Sequence, residues 1–330
     1  MKFGMVSIDD AQGAILAHST AGTDGRIAKG TLLDAALVDQ LRQAGHKTVV
    51  TARLEPGDVE ENAAASFLAQ AIVPESPAQA LRIAKAGAGR VNLYATGPGV
   101  VRMDAGAINA VNAVNPMITV ATVPQFHRVE AGTMVATIKI IAYAVPETAL
   151  ADACAAAARC LAIAAPVYSS ATLIETMVGD ADPVTKGRAA MTGRLDRLAV
   201  ALTDRVMVPH KTEPLARAMI QAPGDMIFVL TASATSDPQD IGPEALRAAG
   251  GSVTAYGMPV DPGNLLFFGW LEDKPVIGLP GCARSPALNG ADWVLERILC
   301  GFRLTQADIS AMGVGGLLKE ILTRPRPRAS

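Results

Sequence analysis

Between residues 171 and 300, short apolar runs rich in Val, Ile and Leu recur between longer stretches of helical spacing. The runs 171–177, 205–208, 225–230, 252–256 and 275–279 each predict a strand. Helices are predicted over 185–203, 212–221, 242–249 and 284–300. Strands apolar on both faces, alternating with helices, imply a mostly parallel sheet covered on both sides. The fold class expected is therefore α/β, with a three-layer αβα unit over 166–305. Ligands of such sheets bind beyond the carboxyl ends of the strands.

The front half follows a different rhythm. Asp34 can cap a helix that runs through Leu41 and stops at Gly45, and 47–52 alternates as a strand does. Glu55-Pro-Gly-Asp58 reads as a turn, with Asp58 as the cap of a helix over 59–72. Together 1–87 form a smaller α+β region. Residues 88–146 are richer in strand, with strands at 90–95, 118–123 and 134–143 and a helix over 105–113 capped by Asp104. An Ala-rich run over 149–165 reads as a helix, and 147–165 as a stiff connector. The stretch 306–330 is a tail, ending in the Pro- and Arg-rich 323–330, which reads as a linker or frayed end.

Composition narrows the class. The 330 residues suffice for about two domains. Half are hydrophobic and only 4% aromatic, so the cores must be built from Ala, Val, Leu and Ile. Twenty-nine Lys and Arg balance 31 Asp and Glu, leaving a net charge of -2 and no basic field for a nucleic acid. The segment 1–5 lacks an apolar signal core. The oiliest stretch, 134–145, is interrupted by Lys139 and too short to span a bilayer. Cys154, Cys160, Cys282 and Cys300 form no Cys-x-x-Cys pair, which argues against a disulfide framework or a zinc site. A cytoplasmic protein is expected.

Three loops after strands are candidates for chemistry. The first, Thr231 to Ala245, carries the hydroxyls of Ser233, Thr235 and Ser236 and the carboxylates of Asp237 and Asp240. Small residues there can turn backbone N–H groups toward an anion. The two aspartates would repel a bare phosphate, so Mg²⁺ on Asp240 would have to intervene. Plain capping of the next helix by Asp240 or Ser236 is the competing reading, and the residues alone favour it. The second loop contains Pro262-Gly263-Asn264 and suits a type II turn. The third is Gly278-Leu-Pro280-Gly281-Cys282-Ala283-Arg284-Ser285, which leads into the predicted helix at 284. Gly281 admits a close ligand, Arg284 offers a planar fork, and the helix dipole would add positive potential. An ordinary turn with a solvated Arg284 weighs about as much. Cys282 reads better as a packed thiol than as a nucleophile. His210 and Lys186 lie near strand ends and could contact a ligand, but His210 reads better as a structural strand-end residue and Lys186 as a surface helix residue.

Taken in order, the three loops resemble the molybdopterin-binding domain shared by MogA and MoeA proteins. The resemblance rests on Thr231…Pro238-x-Asp240-x-x-Pro243-Glu244-Ala245, on Pro262-Gly263, and on Gly278-Leu279-Pro280-Gly281. The front resembles the start of MoeA-type chains at Ala14-Ile-Leu-Ala17 and Lys29-Gly-Thr-Leu32. Arg53 to Asp58, Met258 to Leu265, Pro280 to Pro286 and Met312 to Glu320 resemble the N-terminal half of two-part proteins whose other half is a MobA/MocA-like nucleotidyltransferase.

This resemblance implies a MogA/MoeA-like fold and a molybdopterin-binding protein of molybdenum cofactor biosynthesis. It implies molybdopterin or the finished cofactor as ligand and a homo-oligomer. It also implies either assistance to nucleotidyl transfer and metal insertion, with Asp240 and Asp237 as the catalytic pair, or a non-catalytic carrier serving a cytidylyltransferase partner. The chain departs from the family where Ala232 to Thr235 replace a Gly-Gly-Thr-Gly run, Cys282-Ala283 replace Asn-Pro, and Asn264 replaces Lys. A cytidylyltransferase in its own right would need Leu-Ala-Ala-Gly-x-Ser-x-Arg-Met-Gly. The nearest string, Arg247 to Ser252, lacks its Arg and Gly and is explained by a helix ending in glycine.

Overall fold

The computed structural model describes residues 1–179 and 185–318, and the chain divides into two units. The first comprises Met1–Gly97 and Val101–Ile163, so 1–87 and 88–146 belong to one unit. Its elements, in chain order, are β1 (Lys2–Ser7), β2 (Ile15–Leu16), β3 (Thr20–Gly22), β4 (Gly25–Ile27), α1 (Ala35–Gln43), β5 (Thr48–Arg53), β6 (Asp58–Glu60), α2 (Glu61–Ile72) and β7 (Leu81–Ile83). They continue with β8 (Arg90–Ala95), β9 (Gly99–Met103), α3 (Ala105–Val114), β10 (Ile118–Thr122), β11 (Arg128–Val129), β12 (Met134–Ile140), β13 (Ala144–Pro146), α4 (Glu147–Ala157) and β14 (Leu161–Ala164).

Two predicted caps hold here. Asp34 accepts from the Leu37 N–H and Asp104 from the Ala107 N–H. The third does not. β6 pairs with β13, which keeps 58–60 extended, so α2 begins at Glu61 and Glu60 caps it. Asp58 instead accepts from the Glu55 N–H at 2.7 Å.

The Ala-rich run is also corrected. α4 ends at Ala157, Arg159 takes a φ of 56°, and Leu161–Ala164 is a strand. Leu150, Ala153 and Ala157 are buried in the same core as α2 and the sheet β10-β12-β8-β7. The helix is therefore a packed wall of the first unit and not a free connector.

The second unit comprises Pro98–Val100 and Ala164–Ser330. Its described elements are β15 (Ser170–Met177), α5 (Lys186–Asp196), β16 (Ala201–Leu202), β17 (Val206–Pro209), α6 (Thr212–Gln221), β18 (Met226–Leu230), α7 (Ile241–Ala248), β19 (Ser252–Tyr256), β20 (Phe267–Leu271), β21 (Lys274–Gly278), α8 (Gly290–Leu299) and α9 (Gln306–Ser310). The sheet order is β16-β15-β18-β21-β20-β19, with β17 also on β15. β15 is parallel to β16, β17 and β18, and β18 to β21; β20 is antiparallel to both its neighbours.

The protein is thus mixed α/β. Ile174, Ile227, Val229 and Val276 face α6 and α7 in one core. Neighbours along a strand point to opposite faces. Glu175 and Leu230 accordingly lie on the other face, where they approach Gly187 of α5. No helix among the described residues is long and apolar enough to cross a membrane. Of the expected tail 306–330, the part 306–318 is packed and not a linker, since it includes α9 and buries Ile309 and Met312; 319–330 lie outside the described residues.

Candidate functional site

The parallel strands β15, β17, β18 and β21 end at Met177, Pro209, Leu230 and Gly278, so the segments that follow them emerge at one edge of the sheet. A cavity of 680 Å³ opens there, lined by Lys186, Ala189 and Ala190 of α5 and by Gly281, Cys282, Arg284, Ser285 and Pro286. Gly187 lets α5 approach the sheet. A Cβ on it would stand 2.5 Å from Leu230 Cδ2 and 3.6 Å from Arg284 Cγ.

Two cations face this cavity. Arg284 donates from Nη2 to the Thr231 carbonyl at 2.6 Å, and among the described residues its guanidinium makes no other hydrogen bond. The exposed Lys186 ammonium makes none with the described residues. Uncommitted donors on two cations lining a concave surface suit an oxyanion.

The predicted helix start is corrected. Gly281–Arg284 is a 3₁₀ turn, and α8 begins only at Gly290. The α8 terminus is closed by a capping box: Asn289 Oδ1 accepts from the Ala291 N–H at 2.9 Å, and Asp292 Oδ2 from the Asn289 N–H at 2.8 Å. The Gly290 N–H goes to the Pro262 carbonyl. The N–H groups of Asn289, Gly290 and Ala291 are therefore already engaged. The N–H groups of Ala283, Ser285 and Ala287 are also taken, by Pro280 O, Cys282 O and Ser285 Oγ.

Several singled-out residues have structural duties instead. Gly278 is covered by the Phe267 ring, where a Cβ would fall 1.8 Å from Cε1. Ala283 is buried, and its carbonyl points to Arg194. Pro262 follows a cis peptide bond, and Gly263 takes a φ of 143° against Gly290. Asn264 closes its own loop on Met258. None of these lines the cavity.

In the first loop, Thr231 is buried and its Oγ1 donates to Ser233 O at 2.6 Å. The Thr235 hydroxyl lies 3.3 Å from that of Thr231, and its carbonyl accepts from the Tyr256 hydroxyl. Burial raises the Tyr256 pKa, with Asp237 and Asp240 adding to the shift. Asp240 caps α7, taking the Ile241 N–H at 2.7 Å and the Ser236 N–H at 3.1 Å. Asp237 takes the Gln239 N–H at 2.7 Å. Among the described residues no three His, Cys, Asp or Glu side chains group closely enough to hold a metal ion. In the structure Asp240 serves as the cap of α7.

His210 stands at the end of β17. Its Nδ1 lies 2.9 Å from Thr176 Oγ1, which also accepts from the Ala232 N–H at 2.7 Å, joining three strand ends. Cys160 and Cys300 are packed thiols, pushed up by burial to about 11 and about 12.

The residue that sequence reasoning missed is Arg194. Its side chain is buried, and Nε donates to Asp292 Oδ1. Nη1 reaches Ala190 O and Ala283 O, and Nη2 reaches Ser285 O and Ala287 O. The sequence offered only a weak signal: apolar Ala190 and Met191 lie four and three residues before Arg194 on the same helix.

No protein-family model matches the chain, and no curated protein does. Among solved structures it is similar to a molybdopterin biosynthesis MoeA protein from Pyrococcus horikosii. That likeness has 15% identity over 90% of this chain and 75% of that chain, with a TM-score of 0.30. A molybdopterin biosynthesis MoeA protein from Pyrococcus horikoshii OT3 is matched at 10% identity over 84% of this chain and 69% of that one, with a TM-score of 0.19. TM-scores of this size carry no weight for chemistry, which rests on the residues of the chain.

Proposed function

We propose that the second unit binds the terminal phosphate of molybdopterin and serves molybdenum cofactor biosynthesis as a binding protein. The observation that carries this reading is the 680 Å³ cavity lined by Lys186 and Arg284 beyond the strand ends. Both cations keep donors that no described residue engages. Two cations match the dianionic phosphate monoester at neutral pH, and they attract it without a metal bridge. The choice of molybdopterin among phosphate esters comes from the ordered motifs at Thr231–Ala245, Pro262-Gly263 and Gly278–Gly281.

A carrier role beside a nucleotidyltransferase partner is favoured over catalysis in this chain. Asp237 and Asp240, the residues expected to do the chemistry, are engaged by backbone N–H groups of their own loop. Calorimetry with molybdopterin, followed by ATP, tests the proposal. Saturable molybdopterin binding without ATP turnover is the expected outcome. Turnover would restore the enzymatic reading, and absence of binding would remove both.

A further inference from the structure

We propose that Arg194 is a positioning residue for the oxyanion cavity, acting through its wall without touching the ligand. The inference rests on the reading of that cavity as a phosphate site. A guanidinium carries five N–H donors in a fixed fork. Here five acceptors meet them: one carboxylate oxygen of Asp292 and the carbonyls of Ala190, Ala283, Ser285 and Ala287. No donor is left over for an anion. Three of the carbonyls belong to alternate residues of one segment, 283, 285 and 287, so this side of the loop is drawn toward α5. The residue between the first two, Arg284, instead reaches the Thr231 carbonyl and the cavity. Arg194 is 5% exposed and Asp292 4%, so the fork works out of water, where its geometry is held most firmly.

Asp292 extends the link. One of its oxygens holds Arg194 and the other closes the α8 capping box on Asn289. The side chain that starts α8 therefore also holds the guanidinium that shapes the preceding loop. A lysine has three donors on a point charge and cannot reproduce the fork.

The test measures molybdopterin affinity for wild type, Arg194→Lys, Arg194→Ala and Arg284→Ala, with circular dichroism as the check on folding. Arg194→Lys is expected to bind at least tenfold more weakly with a native-like spectrum. Millimolar ethylguanidinium is expected to restore most of the affinity of Arg194→Ala, whereas ethylammonium is not. A role confined to stability would not show that selective rescue. Should Arg194→Lys bind like wild type while Arg284→Ala is impaired, the positioning role is overturned and the site stands. Should wild type fail to bind, or Arg284→Ala bind as wild type does, the phosphate site itself is wrong. If both Arg194 variants fail to fold, Asp292→Asn decides. Its one amide oxygen cannot accept from both Arg194 Nε and the Asn289 N–H, and its NH₂ opposes one of these donors, so the link between the guanidinium and the capping box is broken; an unchanged affinity there contradicts the proposal.

Discussion

Arg284 Nη2 donates to the Thr231 carbonyl at 2.6 Å, tying the segment after β21 to the segment after β18. The bond fixes where the remaining guanidinium donors point, because the planar fork turns as a unit. Arg284→Lys keeps the charge but cannot hold the Thr231 carbonyl and an anion in the same way. Molybdopterin affinity is expected to fall by about tenfold, the equivalent of one charge-assisted hydrogen bond. Fluorescence titration reads this. Unchanged affinity would mean that charge alone, and not the fork, matters at this position.

Asp240 provides a contrast between capping and metal binding. Removing it in Asp240→Ala leaves the Ile241 and Ser236 N–H groups without their acceptor. The expected loss is about 1 kcal/mol in urea denaturation, as for other N-caps. Millimolar Mg²⁺ should leave the melting temperature of wild type and variant alike. If Mg²⁺ stabilised wild type but not Asp240→Ala, Asp240 would be a metal ligand after all.

Asp225 sets an acid limit on the second unit. Its Oδ2 accepts from the Ser169 hydroxyl at 2.8 Å and from the Ser169 and Ser170 N–H groups at 2.9 Å. The Ser169 bonds, hydroxyl first, hold its pKa at about 2 against an ordinary 3.8. A depressed folded-state value means the unfolded chain takes up the proton first. The stabilisation is therefore complete above pH 3.8 and is lost as pH falls toward 2. Denaturation midpoints measured from pH 5 to pH 2 should fall less steeply in Asp225→Asn than in wild type. Parallel curves would show that the carboxylate is not bound as described.

Much of the second unit was legible from pattern. β15, β18, β19 and β21 lie within one residue of the predicted strands, because these runs are apolar on both faces, as a covered sheet requires. The start of α8 was placed too early, at 284. Pro280-Gly281 and Arg284 look like a helix entrance, but the chain spends 281–284 in a 3₁₀ turn. The true entrance, Asn289-Gly-Ala-Asp292, is a capping-box pattern that could have been read in advance.

In the first unit, Ala-rich 149–165 reads as one helix because Ala fits a helix well and 161–164 carries only Leu and Ile as distinguishing residues. Its division at Ala157 is set by tertiary packing. Of the candidate site, Arg284 and Gly281 could be found from local sequence. Arg194 could not be assigned its five partners, since four of them are backbone carbonyls and three lie about 90 residues away.

The central claim is that Arg284 and Lys186 bind a dianionic phosphate ester in this cavity. The most direct measurement compares calorimetric titrations of molybdopterin into wild type and Arg284→Glu. Replacing a cation with an anion at the cavity wall should weaken binding by at least about a hundredfold, since attraction becomes repulsion at close range. Equal affinity in the two proteins, or no affinity in either, would contradict the account.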